Sequence, residues 1–304
     1  MSRNAPLRVV SISLGSSQRN HRTETVLLGQ PIVLERIGTD GSQEKARQLY
    51  LELDGKVDAF GVGGTDLGIT VAGRYYPLRA VQHLVVGLKT PAVDGGLVRH
   101  VLERQLVQRL EPLLPAPIAP KRVLFITAVG RYDLAQSFAE AGYEALYGDV
   151  GFNIGPALPI RSLGALNLVA RILLPIMSRL PFEQLYPTGA EQEKNTPKFP
   201  HWFNWATVIA DDFLYVKKYL PLQLAGKVVV TNTTTPADVE LLRSRGLRTL
   251  ITSTPRLEGR TFGTNVLEAA LTAIAGHGRA LTAAELRAML KEDDLQPAVL
   301  QLNA

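Results

Sequence analysis

The chain has 304 residues, 46% of them hydrophobic, with 33 basic against 28 acidic residues for a formal charge of +5, and no cysteine. That length buries a core without covalent staples, and the lack of cysteine excludes disulfides, thiol catalysis, thiolate zinc sites and iron–sulfur clusters, in keeping with a reducing compartment. The basic residues are spread along the chain, which does not indicate nucleic acid as a partner and suits small anions such as phosphates or carboxylates.

From the N-terminus, Met1 to Leu14 lacks a signal-length apolar stretch followed by a small-residue cleavage site, so the expected location is cytoplasmic. The apolar run from Leu7 to Leu14 predicts a strand, and Thr23 to Arg36 a hairpin turning at Gly29-Gln30. A helix is expected over Ser42 to Leu53, a strand over Val57 to Val62, and a second hairpin around Gly73 from Ile69 to Pro77. Helices near Arg79 to Leu88 and Leu97 to Leu110, with a short strand at Pro91 to Asp94 between them, complete a mixed α/β region.

"EPLLPAPIAPK", Glu111 to Lys121, has four prolines in eleven residues, which disfavours helix interior and central strand alike, so the domain junction is expected there. Beyond it, strands at Arg122 to Thr127, Glu144 to Gly148, Thr207 to Ala210, Lys227 to Thr231 and Arg248 to Thr252 alternate with helices at Tyr132 to Ala141, Phe213 to Leu220, Pro236 to Arg245 and Thr264 to Ala275. Near-continuous apolar strands separated by helices read as a parallel sheet covered on both faces. "TAAE", Thr282 to Glu285, is a capping-box pattern that starts a last helix. The expected fold class is therefore α/β: a mixed substrate-type domain over residues 1–115, a doubly wound, Rossmann-like nucleotide-binding domain over 116–278, and a C-terminal helix and tail over 279–304.

The helix from Leu163 to Leu180 is the most apolar, but Asn167, Arg171, Pro175 and Arg179 interrupt it, so it is a poor membrane span. A buried or subunit-facing helix, and with it a homo-oligomer, is the expectation. The loop from Leu185 to Trp205 is long enough to be a lid or a partner surface, with Trp202, Phe203 and Trp205 packing between domains or stacking on a ligand ring.

"LFITAVGRYDLAQSFAEAGYEALYGDVGF", Leu124 to Phe152, has the outline of a dinucleotide-binding βαβ unit. Its turn after Thr127 reads Ala128-Val129-Gly130-Arg131-Tyr132-Asp133, and only Gly130 fits the glycine register that lets backbone approach a pyrophosphate. Asp133 is badly placed for a phosphate, though Arg131 offsets it, or it simply caps the helix. Asp149 follows the second strand at about the spacing, roughly 20 residues, of the acid that accepts ribose hydroxyls, which favours NAD over NADP. Equally, it is an ordinary strand-end residue.

"FGVGGTDLG", Phe60 to Gly68, places Thr65 and Asp66 after a glycine-rich strand end, either as substrate and proton-transfer groups or as a tight turn. Asp94 and Arg99 stand in a similar strand-to-helix turn, which suits a carboxylate or phosphate. Asp211-Asp212 and the run Thr231 to Thr235, with Asn232 and Thr233, follow strands of the second sheet and so share its carboxyl-end rim. The five histidines have no metal-ligand spacing, and no nucleophile elbow or Walker lysine occurs.

The stretches "SISLGSS", "ERIGTDG", "DGKVDAFGVGG", "LPFEQLYPTG" and "EGRTFGTNVLEA" resemble a bacterial family labelled quinate 5-dehydrogenase, related by name to the shikimate dehydrogenases, over about Arg8 to Ala275. The resemblance implies oxidation of a ring hydroxyl of a polyhydroxylated cyclohexane carboxylate with NAD or NADP, in a cleft between a substrate domain and a Rossmann domain. It further implies a lysine–aspartate pair, for which Asp66 and either Lys89 or Lys56 are available. The competing expectation is a non-catalytic module that binds a nucleotide or an anionic metabolite, motivated by the incomplete glycine turn.

Overall fold

The computed structural model describes residues 5–181, 195–257, 260, 261, 263–291 and 295–303. Two mainly parallel sheets carry the chain. The first has the order β2 (His21–Leu27), β3 (Gln30–Gly38), β1 (Leu7–Ser13), β4 (Ala59–Gly63) and β7 (Ala92–Val93), parallel throughout except that β2 runs against β3. Val10 of β1 aligns with Glu35 and Phe60 on its two sides. The first hairpin turns at Leu28-Gly29, one residue before the expected pair, because both residues adopt positive φ (48° and 77°), the turn geometry that matches strand twist. Ser42 caps α1 (Gln43–Leu53) by accepting from the Lys45 amide, and Tyr50 of that helix donates to the carbonyls of Ile12 and Gly61 beneath the sheet.

The second hairpin, β5 (Gly68–Val71) with β6 (Arg74–Pro77), forms where expected. The two helices predicted next are shorter or broken: α2 spans only Arg79–Gln82, and Leu97 to Leu110 divides into α3 (Gly96–Glu103) and α4 (Leu106–Leu110).

Across the proline-rich stretch, β8 (Arg122–Phe125), α5 (Tyr132–Glu140), β9 (Glu144–Tyr147), α6 (Asp149–Asn153) and α7 (Leu163–Met177) follow. Then come α8 (Pro200–Trp205), β10 (Val208–Ala210), α9 (Phe213–Tyr219), β11 (Val228–Thr231), α10 (Pro236–Ser244) and β12 (Thr249–Thr252). β13 (Arg256–Leu257) and β14 (Arg260–Thr261) pair with each other, and α11 (Thr264–Ala275), α12 (Ala283–Met289) and β15 (Ala298–Gln301) end the chain. The second sheet has the order β15-β12-β11-β10-β8-β9, parallel except for β15. β10, β11 and β12 are buried along their whole length, as a sheet covered on both faces requires. Strand order reverses between β8 and β10, which puts the ligand crevice of such a sheet at their carboxyl ends.

The late elements do not divide as the sequence leads one to expect. α11 follows the second sheet but packs on the first, through Val266, Ala269, Ala270 and Ala273 against Val9, Ala59 and Val93. Its alanine face admits close approach to β4, where a Cβ on Gly61 would lie 3.0 Å from the Asn265 carbonyl oxygen. β15, unforeseen in the tail, then returns to β12. Gly95 stands at the start of α3 with φ 87°, and a Cβ there would meet the Asn265 nitrogen and Thr264 Oγ1 at 2.4 Å. Gly95→Ala is therefore expected to cost at least about 2 kcal/mol, read by urea unfolding, from left-handed strain plus the clash.

Leu166, Ala170 and Leu174 of α7 are buried, the last two against Val71 and Tyr76 of the second hairpin, while Leu168, Ile172 and Ile176 are 58–59% exposed. No helix among the described residues is long and apolar enough to cross a membrane. Trp202 and Phe203 pack inside the second unit with Phe152, Phe199 and Tyr219 rather than between domains, Phe199 stacking on Trp202 at 4.3 Å. Trp205 lies at the edge of that cluster under Arg122 and Arg161. Residues 185–194 of the expected lid or partner loop lie outside the described residues.

Candidate functional site

Parallel strands share a direction, so the loops after β1, β4 and β7 gather at one end of the first sheet, and those after β8, β10 and β11 at one end of the second. These two ends face one cleft of about 830 Å³. Thr65, Asp66, Asp94 and Arg99 line it from the first unit, and Thr127, Gly130, Arg131, Asp149, Asn232 and Thr233 from the second. Ten of the twelve residues proposed from the sequence for catalysis, cofactor or substrate are thus brought together.

The exceptions are the lysines. Lys56 precedes β4 and Lys89 precedes β7, so both stand exposed at the opposite end of the sheet from Asp66. Five residues of β4 at about 3.3 Å each keep them roughly 16 Å or more away. The expected lysine–aspartate pair is not assembled. Asp66 is ion-paired with Arg99 instead, whose other fork reaches toward Thr264 Oγ1 at 3.4 Å. Burial raises the Asp66 carboxyl above its usual range, with Asp94 adding to this and Arg99 opposing it. Asp94 accepts from the amides of Leu67 (2.6 Å) and Gly96 (2.8 Å), so it fixes the two turns against each other.

The turn after β8 is where a pyrophosphate would bind, and its backbone donors are already in use. Asp149 accepts from the amides of Ala128 (3.1 Å) and Val129 (2.9 Å), and Asp211 from the amides of Ile126 and Thr127 and the Thr127 hydroxyl. Asp149 heads α6 with its carboxylate turned into the turn, not out toward a ribose, which corrects the expectation for that residue. Gly130 is exposed, donates to the Thr127 carbonyl, and would carry a Cβ into open space, so no close approach of backbone demands glycine there. These two side chains take up the backbone donors that a phosphate would need, and the arrangement does not fit a dinucleotide at this turn. Burial pushes the Asp149 carboxyl up to about 7 and the Asp211 carboxyl up to about 6, against the amide bonds that favour their charged forms.

Arg131 does not reach for a phosphate either. It is 4% exposed and pairs with Glu103, itself 2% exposed, and with Asp212 at 3.2 Å. Glu103 also accepts from the Ser253 hydroxyl, and Asn232 donates to Asp212 at 2.8 Å, so one buried polar chain joins α3, the β8 turn, and the loops after β10, β11 and β12. Burial would raise Asp212, but Arg131, the Leu214 amide and Asn232 hold its carboxyl below the usual range. Asp133 stands in the first turn of α5 rather than at its N-cap and lies 3.1 Å from His100 Nδ1. Glu268 of α11 caps α3 from outside, accepting from the amides of Leu97 and Val98.

Sequence reasoning missed Ser11, Ser13, Arg36, Glu103 and Glu268. A signal was present in β1, where Ser11 and Ser13 alternate with Ile12, so two hydroxyls share one face of a wholly apolar-flanked strand and point to the cleft and α11. Likewise Glu268 is a lone acid in the otherwise uncharged helix of α11. Nothing local distinguished Glu103.

Among solved structures, the NAD-dependent malic enzyme of Thermotoga maritima is 14% identical, covering 93% of this chain and 75% of that one at a TM-score of 0.38. A periplasmic solute-binding protein of an ABC transporter from Actinobacillus succinogenes, solved with bound D-allose, is 15% identical over 98% of both chains at 0.38. Another solute-binding protein, from Burkholderia multivorans, is 11% identical over 99% of this chain and 100% of that one at 0.40. These similarities are of α/β architecture alone. No curated protein matches the chain. Residues 8–94, which supply the first sheet and the Asp66 side of the cleft, match a family described as Domain of unknown function (DUF8753). With residues 97–302 matched, well over half its length, the protein belongs to the family described as Domain of unknown function (DUF8754).

Proposed function

We propose that the cleft binds a compact, polyhydroxylated carboxylic acid, and that it does so without a dinucleotide in the turn after β8. The observation that carries this reading is the occupation of the turn amides by Asp149 and Asp211. The remaining lining favours such a ligand. Hydroxyls and amides of Ser13, Thr65, Asn232 and Thr233 with the carboxylates of Asp66 and Asp212 supply acceptors and donors for ring hydroxyls, and guanidinium groups are at hand for an acid. The resemblance to the quinate 5-dehydrogenase family supplies the same ligand class.

Oxidation of a ring hydroxyl with NAD or NADP is the second reading, favoured by the meeting of two carboxyl-end edges in one cleft. It requires Asp149 and Asp211 to leave the turn amides and a proton acceptor other than Lys56 or Lys89. Calorimetric titration with quinate, shikimate, NAD, NADP, NADH and NADPH in separate cells decides between them. Binding of a ring acid with no heat from any dinucleotide is the expected result. A dinucleotide bound at micromolar strength would replace the first reading by the second, and silence from every compound would remove both.

A further inference from the structure

The geometry points to a carboxylate-receiving subsite on the first unit's side of the cleft, formed by Arg36 with Ser13 and flanked by Arg19, which holds one end of a singly charged ligand. It rests on the reading of the cleft as a small-molecule site and names the group that selects the ligand.

Among the arginines lining the cleft, Arg99 is neutralised by Asp66 and Arg131 by Glu103 and Asp212. Arg36 and Arg19 make no ion pair among the described residues. Arg36 nevertheless is half-buried and held in place: Nη1 donates to the Ser16 carbonyl at 3.0 Å and Nη2 to Ser13 Oγ at 2.9 Å. A guanidinium has five N–H donors, so the plane of the fork is fixed while donors remain for a ligand. The strand-end residues leave room for it. A Cβ on Gly15 would stand 3.0 Å from Nη2, and one on Gly63 would stand 2.9 Å from the Ser13 Cβ. Burial, with the like charge of Arg19 beside it, lowers the Arg36 guanidinium to about 10, and Asp40 only partly opposes this. An anion between the two arginines relieves both the desolvation and the repulsion, so binding gains free energy that the empty site lacks.

The charge of the ligand follows from the rest of the cleft. Away from Arg36 the lining is rich in carboxylates, Asp66 and Asp94 from the first unit and Asp211 and Asp212 from the second, and a second negative charge toward them would be repelled. One carboxylate, rather than a phosphate monoester, fits this balance, with neutral hydroxyls extending from it toward Ser11, Thr65 and Asn232.

The test compares quinate with its methyl ester and with a neutral ring polyol, inositol, on wild type, Arg36→Met and Arg36→Lys, each checked for folding by circular dichroism. Losing a charge-assisted pair costs about ten- to a hundredfold in affinity, so wild type is expected to prefer quinate to the ester by at least about tenfold. Arg36→Met should bind acid and ester alike, and Arg36→Lys should fall between. An undiminished preference in Arg36→Met overturns the subsite and leaves the cleft reading standing. Unfolding midpoints in sodium formate and in sodium chloride of equal ionic strength supply a readout free of the ring. Wild type should gain in formate and Arg36→Met should not. That gain with no ring acid bound would keep the subsite and sink the cleft ligand class, whereas its absence together with no ring-acid binding would sink both.

Discussion

Arg131→Met is expected to lower the free energy of unfolding by about 3–5 kcal/mol, because it strands a buried carboxylate. Glu103 is 2% exposed and, when Arg131 is gone, keeps the Ser253 hydroxyl and the charge of Arg99, which is itself paired with Asp66. Asp212, a third exposed, retains Asn232 and the Leu214 amide and suffers less. Removing both charges together should be far milder, since an apolar pair of similar volume has no desolvation to offset. Urea unfolding of Arg131→Met, Glu103→Leu and the double variant measures this. A double variant as unstable as the sum of the singles would mean that the pair does not act as a unit.

Asp149→Asn is expected to change how stability depends on pH. The folded protein holds the Asp149 carboxyl at about 7 through burial, far above its ordinary 3.8, so the folded state binds that proton more tightly than the unfolded chain does. The stability this proton confers is complete below the unfolded value and is lost as pH rises from about 4 through about 7. Three units correspond to roughly 4 kcal/mol. An asparagine is neutral throughout, so it lacks this loss, although its amide nitrogen cannot accept from the second turn N–H and imposes a constant cost of about 1–3 kcal/mol. Relative to wild type the variant should therefore gain between about pH 4 and about pH 7 and level off above that. Parallel stability curves for the two proteins would show that Asp149 is ionised in the fold across that range.

Much of this architecture could be read in the sequence because it rests on local rules. Runs such as Val228–Thr231 and Thr249–Thr252 have no polar face to place outside, so they could only be interior strands. Thr235-Pro236 and Thr282 with Glu285 announced two helix starts that form with complete capping boxes. What could not be read was destination. The pattern of Thr264–Ala275 says that the helix has a small-residue face, not which sheet receives it. The site divides the same way. Positions after strands foretold that Asn232 and Thr233 would lie at the second sheet's carboxyl-end rim, and the family resemblance implied that Asp66 would face such residues across a cleft. The direction of the Asp149 carboxylate depended on unoccupied amides twenty residues earlier, and the partnership of Arg131 with Glu103 joins elements that sequence spacing does not relate.

The return of α11 to the first sheet bears on how the chain can be made. Val9, Ala59 and Val93 all leave the ribosome early, but the helix that shields them is not available until Ala275 has been synthesised. Through that interval the nascent amino-terminal sheet has one apolar face bare, open to chaperones or to another nascent chain. Severing the polypeptide between the two sheets would make the condition permanent for the first fragment, which lacks the helix that covers its sheet.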